Sequence, residues 1–169
     1  MFYHFFYSII FLLLTGCGFH LRQPITTHEN LPAIQIMSEL KNPPQLVVVR
    51  QYLTHTGFRV KETNAPITLK LLAMQLNKRT YTYTSLTKAG EYQLIQTLNY
   101  QLLDNHDKPL SPIIQIYQDR VYPVDLKNLS GNNQEEALIR EELQAGALEQ
   151  LAEQLNQSLK YIAQPANAS

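Results

Sequence analysis

Between Leu138 and Ile162 the apolar residues recur every three or four positions. Leu138, Ile139, Leu143, Ala147, Leu148, Leu151, Leu155, Leu159 and Ile162 make one stripe, with Glu141, Glu142, Glu149, Glu153 and Gln154 opposite. That period belongs to an α-helix with one buried face, which must pack on another layer. Asn132 followed by Glu135 resembles a capping box that opens the helix, and Pro165 ends it after about seven or eight turns. Acid near its start and Lys160 near its end suit the helix dipole. Gly146 costs about 1 kcal/mol relative to Ala unless close packing requires it.

The segments before it read mainly as strands. Ile34 to Met37 is a short one. Pro66 opens a longer one, in which Ile67, Leu69, Leu71 and Ala73 alternate while Leu72, Met74 and Leu76 take the opposite phase. One extra residue exchanges the faces of a strand, so either a bulge near Leu71 or Leu72 or burial on both faces accounts for this. After Ala89 and Gly90, EYQLIQTLNYQLL places Tyr92, Leu94, Leu98, Tyr100 and Leu102 on one face. The turn DNHDKP and the β-rich IIQIYQDRVY follow, so the two segments read as an antiparallel ribbon with the Pro66 strand beside it. In NPPQLVVVRQYLTHTG the valines favour a strand by propensity. Against this, Asn42 is a good N-cap, Pro43 suits the first helical position, Leu46, Val49 and Leu53 have helical spacing, and Gly57 is a C-terminal stop. A helix is expected from Pro43 to Thr56, then a short strand from Phe58 to Lys61. The order β, α, β, β, β, β, α predicts an α+β two-layer sandwich: two helices packed on one face of a mixed, mostly antiparallel β-sheet, with the other face free.

Composition narrows the function. The chain has 169 residues, enough for one domain, and its 14 basic and 14 acidic residues give no overall case for nucleic acid or an anionic membrane surface. One cysteine, Cys17, cannot make an internal disulfide. It follows FFYSIIFLLL, an apolar run too short to span a bilayer, which takes about 20 helical residues, and of the length of a secretory h-region. Leu14, Thr15 and Gly16 before Cys17 resemble the bacterial lipobox. That resemblance implies cleavage after Gly16, a diacylglyceryl thioether on the Cys17 sulfur and an acylated new amino terminus; two or three chains anchor stably where one does not. The n-region, Met1 to His4, departs from the pattern by lacking Lys and Arg. Gly18, where an inner-membrane retention signal has Asp, favours the outer membrane by resemblance to enterobacterial sorting. The expected organisation is a cleaved signal peptide (1–16), a lipidated tether (17–31), one domain (32–163) and a short flexible tail (164–169).

No catalytic constellation is apparent. His106 lies in the tight run Asp104, Asn105, His106, Asp107, where Asp and Asn serve turn chemistry, and no second His or thiol stands at ligand spacing. There is no Gly-rich phosphate loop or GxSxG motif, and Ser85 has no recognisable base partner. The expectation is a protein that is not an enzyme, with no metal and no cofactor besides the lipid on Cys17. Lys78 and Arg79, with Lys88 across TYTYTSLT, form the clearest basic cluster, suited either to lipid phosphates or carboxylates or to solvation at a strand end. Tyr81 and Tyr83 alternate with Thr80, Thr82 and Thr84, as in an exposed edge that joins a partner's sheet or in an ordinary polar hairpin.

The lipobox followed by GFHLR (Gly18 to Arg22), the helix ending in LTHTGFRV, the strand opening AGEYQL and the helix containing ALEQLAEQL together resemble the LptE family of lipopolysaccharide-assembly lipoproteins. The likeness covers nearly all of the mature chain. It implies a non-enzymatic partner of the outer-membrane barrel LptD, seated in the barrel as a plug, aiding its assembly and passing lipopolysaccharide to the outer leaflet. A neutral surface rich in Tyr, Thr and Gln suits a polar barrel lumen. The resemblance also implies lipopolysaccharide binding through basic loop residues. Ser85 and Leu86 stand where a basic residue is expected, leaving Lys88 as the nearest substitute; Lys127 is the nearest before the last helix, and Lys78 and Arg79 complete the candidates. The alternative from another class is a periplasm-facing adaptor lipoprotein that scaffolds another envelope complex.

Overall fold

The computed structural model describes residues 31–84, 88–125 and 127–163. The stretches expected to be a signal peptide, a tether carrying Cys17 and a tail fall, except for Leu31, outside these residues. The elements are β1 (Ile34–Ser38), α1 (Pro43–His55), β2 (Val60–Lys61), β3 (Ile67–Tyr83), β4 (Ala89–Asp104), β5 (Ile114–Pro123) and α2 (Leu129–Ala163). The strands form one sheet in the order β2-β1-β3-β4-β5. β1 runs parallel to β2 and β3, while β3, β4 and β5 are antiparallel neighbours. Both helices cover one face, the α+β sandwich expected from the element order. Among the described residues no helix is long and apolar enough to cross a membrane.

The phase change in β3 is a bulge. Ile67 to Leu71 pair with Asp104 to Tyr100, and the register shifts between Leu71 and Ala73, so Leu72 is the extra residue. Ile67, Leu69 and Leu71 before it and Met74 after it are all buried beneath the helices. The same shift turns Lys78 toward the helices and Arg79 toward the open face, since strand side chains alternate.

α2 has 35 residues and is about 50 Å long; β3 has 17 and spans about 55 Å, so helix and strand are matched in length. α2 runs back over β5 and β4. Its successive residues meet Tyr122, then Arg120, then Gln118, and finally Tyr100, whose hydroxyl donates to Gln154 Oε1 at 2.9 Å. The main core joins Leu69, Leu98, Leu102 and Ile116 of the sheet to Val49 and Leu53 of α1 and Leu151, Leu155 and Leu159 of α2. A smaller cluster holds Leu94, Tyr122, Ile139 and Leu143. Between the two lie buried Gln96 and the pair in which Gln118 Nε2 donates to Gln150 Oε1 at 3.1 Å. Gly146 belongs to this polar layer. A Cβ there would stand 2.9 Å from Gln118 Oε1, which is the close packing that accounts for a glycine inside the helix.

Three local expectations change. α2 begins at Leu129, ahead of the supposed capping box. Gly131 N–H donates to Asn128 Oδ1 at 2.9 Å, whereas Asn132 already lies in the helix and its side chain bridges back to the Asp125 main chain. Asn128 performs the capping, and the spacing of Asn132 to Glu135 is incidental. Asn42 precedes α1 without a side-chain cap bond; its carbonyl accepts from Gln45 N–H at 3.1 Å. The strand expected from Phe58 shrinks to Val60–Lys61, because the Phe58 N–H is taken by the Leu53 carbonyl at the end of α1, at 3.0 Å. Gly57, at φ 93°, ends α1 in a conformation that glycine adopts without Cβ strain.

Candidate functional site

Three features meet at one end of the sheet: the β3–β4 hairpin, the β5–α2 loop and the start of α2. Thr84 N–H donates to Lys88 O at 2.7 Å and Val124 N–H to Gly90 O at 2.9 Å, so the loop after β5 is tied to the root of the hairpin tip. Lys88 stands exposed at that tip and Lys127 exposed on that loop. Asp125 fixes the loop: its Oδ1 accepts Lys127 N–H at 2.8 Å, and its main chain is held from both sides by the Asn132 amide. Two cations distant in sequence are thereby presented at the same end of the fold. Lys127 also precedes the start of α2, where unpaired N–H groups favour anions.

Lys78 and Arg79 do not join them, so the cluster suggested by the sequence is dispersed. Lys78 Nζ is 2.5 Å from Glu136 Oε2 and 3.9 Å above the Tyr92 ring. Tyr122 OH donates to the same Glu136 oxygen at 2.6 Å, and Arg140, one turn along α2, binds the other through Nε at 3.0 Å. Burial alone would raise the Glu136 carboxyl; hydrogen bonds from Lys78, Tyr122 and Arg140 outweigh it and hold the pKa at about 2. Burial lowers the Lys78 ammonium, but its bonds to Glu136 and Tyr122 prevail and its pKa rises. This ion cluster closes the smaller core and clamps the root of the hairpin onto α2. The Glu136–Arg140 pair is visible in sequence at i,i+4 spacing. Its link to Lys78 depends on the Leu72 bulge and on the cross-strand neighbours Tyr92 and Tyr122.

Arg79 lies on the open face, where its Nε donates to Gln93 Oε1 at 2.7 Å and Gln93 Nε2 donates to Asp119 Oδ2 at 2.5 Å. Most of that face is uncharged. The register aligns Gln75 with Thr97 and Tyr117, and Ala73 with Asn99 and Gln115, while Lys70 is paired with Glu39 at 2.7 Å. At the opposite end of the sheet, Asp104 Oδ1 accepts the N–H groups of His106 and Lys108, both at 2.8 Å. Backbone hydrogen bonds from Lys108 and His106 lower the Asp104 carboxyl, and Asp107 has φ 60°. The DNHD run therefore does turn chemistry. Among the described residues no three His, Cys, Asp or Glu side chains group in a way that would hold a metal ion. Cys17 and Ser85 lie outside the described residues.

The model of a family described as lipopolysaccharide-assembly, LptE, matches residues 46–155. The chain is 30% identical over 149 residues to the LPS-assembly lipoprotein LptE of Photorhabdus laumondii subsp. laumondii, covering 85% of this chain and 79% of that one. Among solved structures it resembles the rare lipoprotein B of Shewanella oneidensis, with a TM-score of 0.63, 15% identity, and coverage of 77% of this chain and 99% of that one. It also resembles a lipoprotein B of Nitrosomonas europaea, with a TM-score of 0.64, 19% identity, and coverage of 82% and 90%. At these identities the two structures speak for the fold alone.

Proposed function

The chain belongs to the LptE family of lipopolysaccharide-assembly lipoproteins, and on that premise we propose that it is a lipid-anchored, non-catalytic component of the outer membrane. In this reading Cys17 carries the acyl anchor, and the domain sits inside the LptD barrel as plug and assembly partner. It contacts lipopolysaccharide on its way to the outer leaflet. The observation that carries the plug reading is the open sheet face. Its amides and hydroxyls, including Gln75, Thr97 and Gln115, offer donors and acceptors without net charge, matching the polar interior of a large barrel. An apolar face of that size would call for lipid or a second apolar layer.

Lipopolysaccharide contact is assigned to Lys88 and Lys127; Arg79, tied to Gln93 on the open face, stands apart from them. Lys78 is the weakest of the four candidates, because its ammonium is already paired with Glu136. Depleting the protein and measuring surface lipopolysaccharide together with correctly folded LptD tests the proposal. Loss of both is expected. Affinity recovery of the lipid-anchored chain separates the adaptor alternative: LptD in the eluate supports the plug, and a different envelope complex without LptD sinks it.

A further inference from the structure

We propose that the free edge of β3, from Leu76 to Tyr83, is a strand-addition site that takes an extended, acidic segment of the barrel partner; this rests on the plug reading above. β1 covers β3 only as far as Leu71. The segment Glu39–Asn42 and Gln45 then lie along Leu72 to Gln75, and Gln45 Nε2 donates to Met74 O at 3.3 Å. Beyond that point no strand among the described residues pairs with β3 on this side. A strand residue paired in an antiparallel ladder turns both backbone groups to the same side, alternating along the chain. With the Met74 carbonyl turned outward, Leu76, Lys78 and Thr80 turn their N–H and C=O groups outward as well.

Exposed edges are ordinarily guarded by Lys, Pro, bulges or shortness. The other edge, β5, ends in Pro123, follows Pro112, and carries Arg120 paired with Glu142 at 3.4 Å. β3 contains neither Pro nor Gly, and its two nearby cations are folded back over the sheet. Lys78 reaches Glu136 on one face, and Arg79 reaches Gln93 on the other. Two register shifts near its end, between Thr80 and Thr82 and between Thr82 and Tyr83, are the remaining guards, and the stretch from Leu76 to Thr80 before them is regular. Tyr81 and Tyr83 stand 54% and 70% exposed beside this edge, as large flat partners for cross-strand pairs.

Charge selects the occupant. β3 carries Lys70, Lys78 and Arg79 and no acidic residue. A second copy pairing through the same edge would set like charges side by side, and a lipid has no strand backbone to complete the ladder. A carboxylate on the incoming strand, beside Arg79 on the open face, would take guanidinium donors that Gln93 leaves over.

The test uses the full lipidated chain co-produced with the barrel, with a photo-crosslinking residue placed in turn at Asn77, Tyr81 and Tyr83, which leaves Arg79 in place, followed by mapping of the joined peptides. All three positions are expected to reach one Asp- or Glu-containing segment of the barrel protein, with the joined residue moving along it in step with the position on β3. Thr80→Pro, which deletes one outward N–H, is expected to lower barrel recovery at least tenfold; should that variant fail to fold, the crosslink map decides. Crosslinks scattered over the barrel wall, to lipopolysaccharide or to a second copy overturn the inference while leaving the plug reading intact. Absence of the barrel from the wild-type eluate overturns both.

Discussion

Glu136 is where single side chains matter most, since Lys78, Tyr122 and Arg140 all converge on its carboxylate. With 15% of the side chain exposed, a carboxylate there is tolerable only because every partner is a donor. Lys78 and Arg140 keep 35% and 43% of their side chains in water, so screening reduces what the cluster contributes. Glu136→Gln is expected to cost about 1–2 kcal/mol in a denaturant titration near neutral pH. The folded pKa of about 2 lies below the ordinary 4.5, so this contribution is complete above about pH 4.5 and is lost as pH falls toward 2. Melting curves should therefore show wild type losing more stability than Glu136→Gln across that window; parallel losses would count against the cluster. A second residue-scale test concerns Gly146 and Gln118. Gly146→Ala alone gains helix propensity but displaces the Gln118 amide from Gln150. In a Gln118→Ala background the same change should stabilise by about 1 kcal/mol, and by clearly less in wild type.

At the level of elements, α2 shows what a periodic stripe does and does not specify. Leu151, Leu155 and Leu159 are fully buried as their spacing predicts, but Leu138, in the same stripe, is 63% exposed. The stripe meets a twisted sheet of finite width, and near its N-terminus Ile139 and Leu143 alone reach the smaller core. Leu155→Ala should cost about 2–5 kcal/mol in chemical denaturation, whereas Leu138→Ala should stay within about 0.5 kcal/mol. Equal effects would mean that α2 packs elsewhere. Elements and their order were legible because each rests on local periodicity, and even the Leu72 bulge left its mark as a change of phase. Caps were less legible, since Asn128, Asn132 and Asn42 are all plausible on composition and loop geometry selects among them. Least legible was the basic patch: Lys78 and Arg79 are adjacent in sequence, but alternation along a strand separates adjacent residues onto opposite faces. The bulge decides which of the two meets the helix.

For the whole molecule, the arrangement separates a stabilised body from one charged end. The core, the Gln layer and the Glu136 cluster hold α2 along nearly the full ribbon, and Lys88 and Lys127 stand exposed where that support ends. Among the described residues neither Lys88 nor Lys127 has its ammonium in an ion pair. Reversing both charges therefore breaks no ion pair among the described residues, and the melting temperature of Lys88→Glu/Lys127→Glu should match wild type. Affinity for lipopolysaccharide phosphates should fall, because two attractions become two repulsions. With exposed groups at roughly 1 kcal/mol or less each, the combined loss is about tenfold to a hundredfold at low salt and shrinks as salt rises. Binding of purified lipopolysaccharide at two ionic strengths, with Lys61→Glu as an exposed control away from that end, measures the effect. An unchanged affinity would remove the hairpin end from lipopolysaccharide contact. A loss that persists undiminished at high salt would show that the two lysines act through the fold rather than through charge.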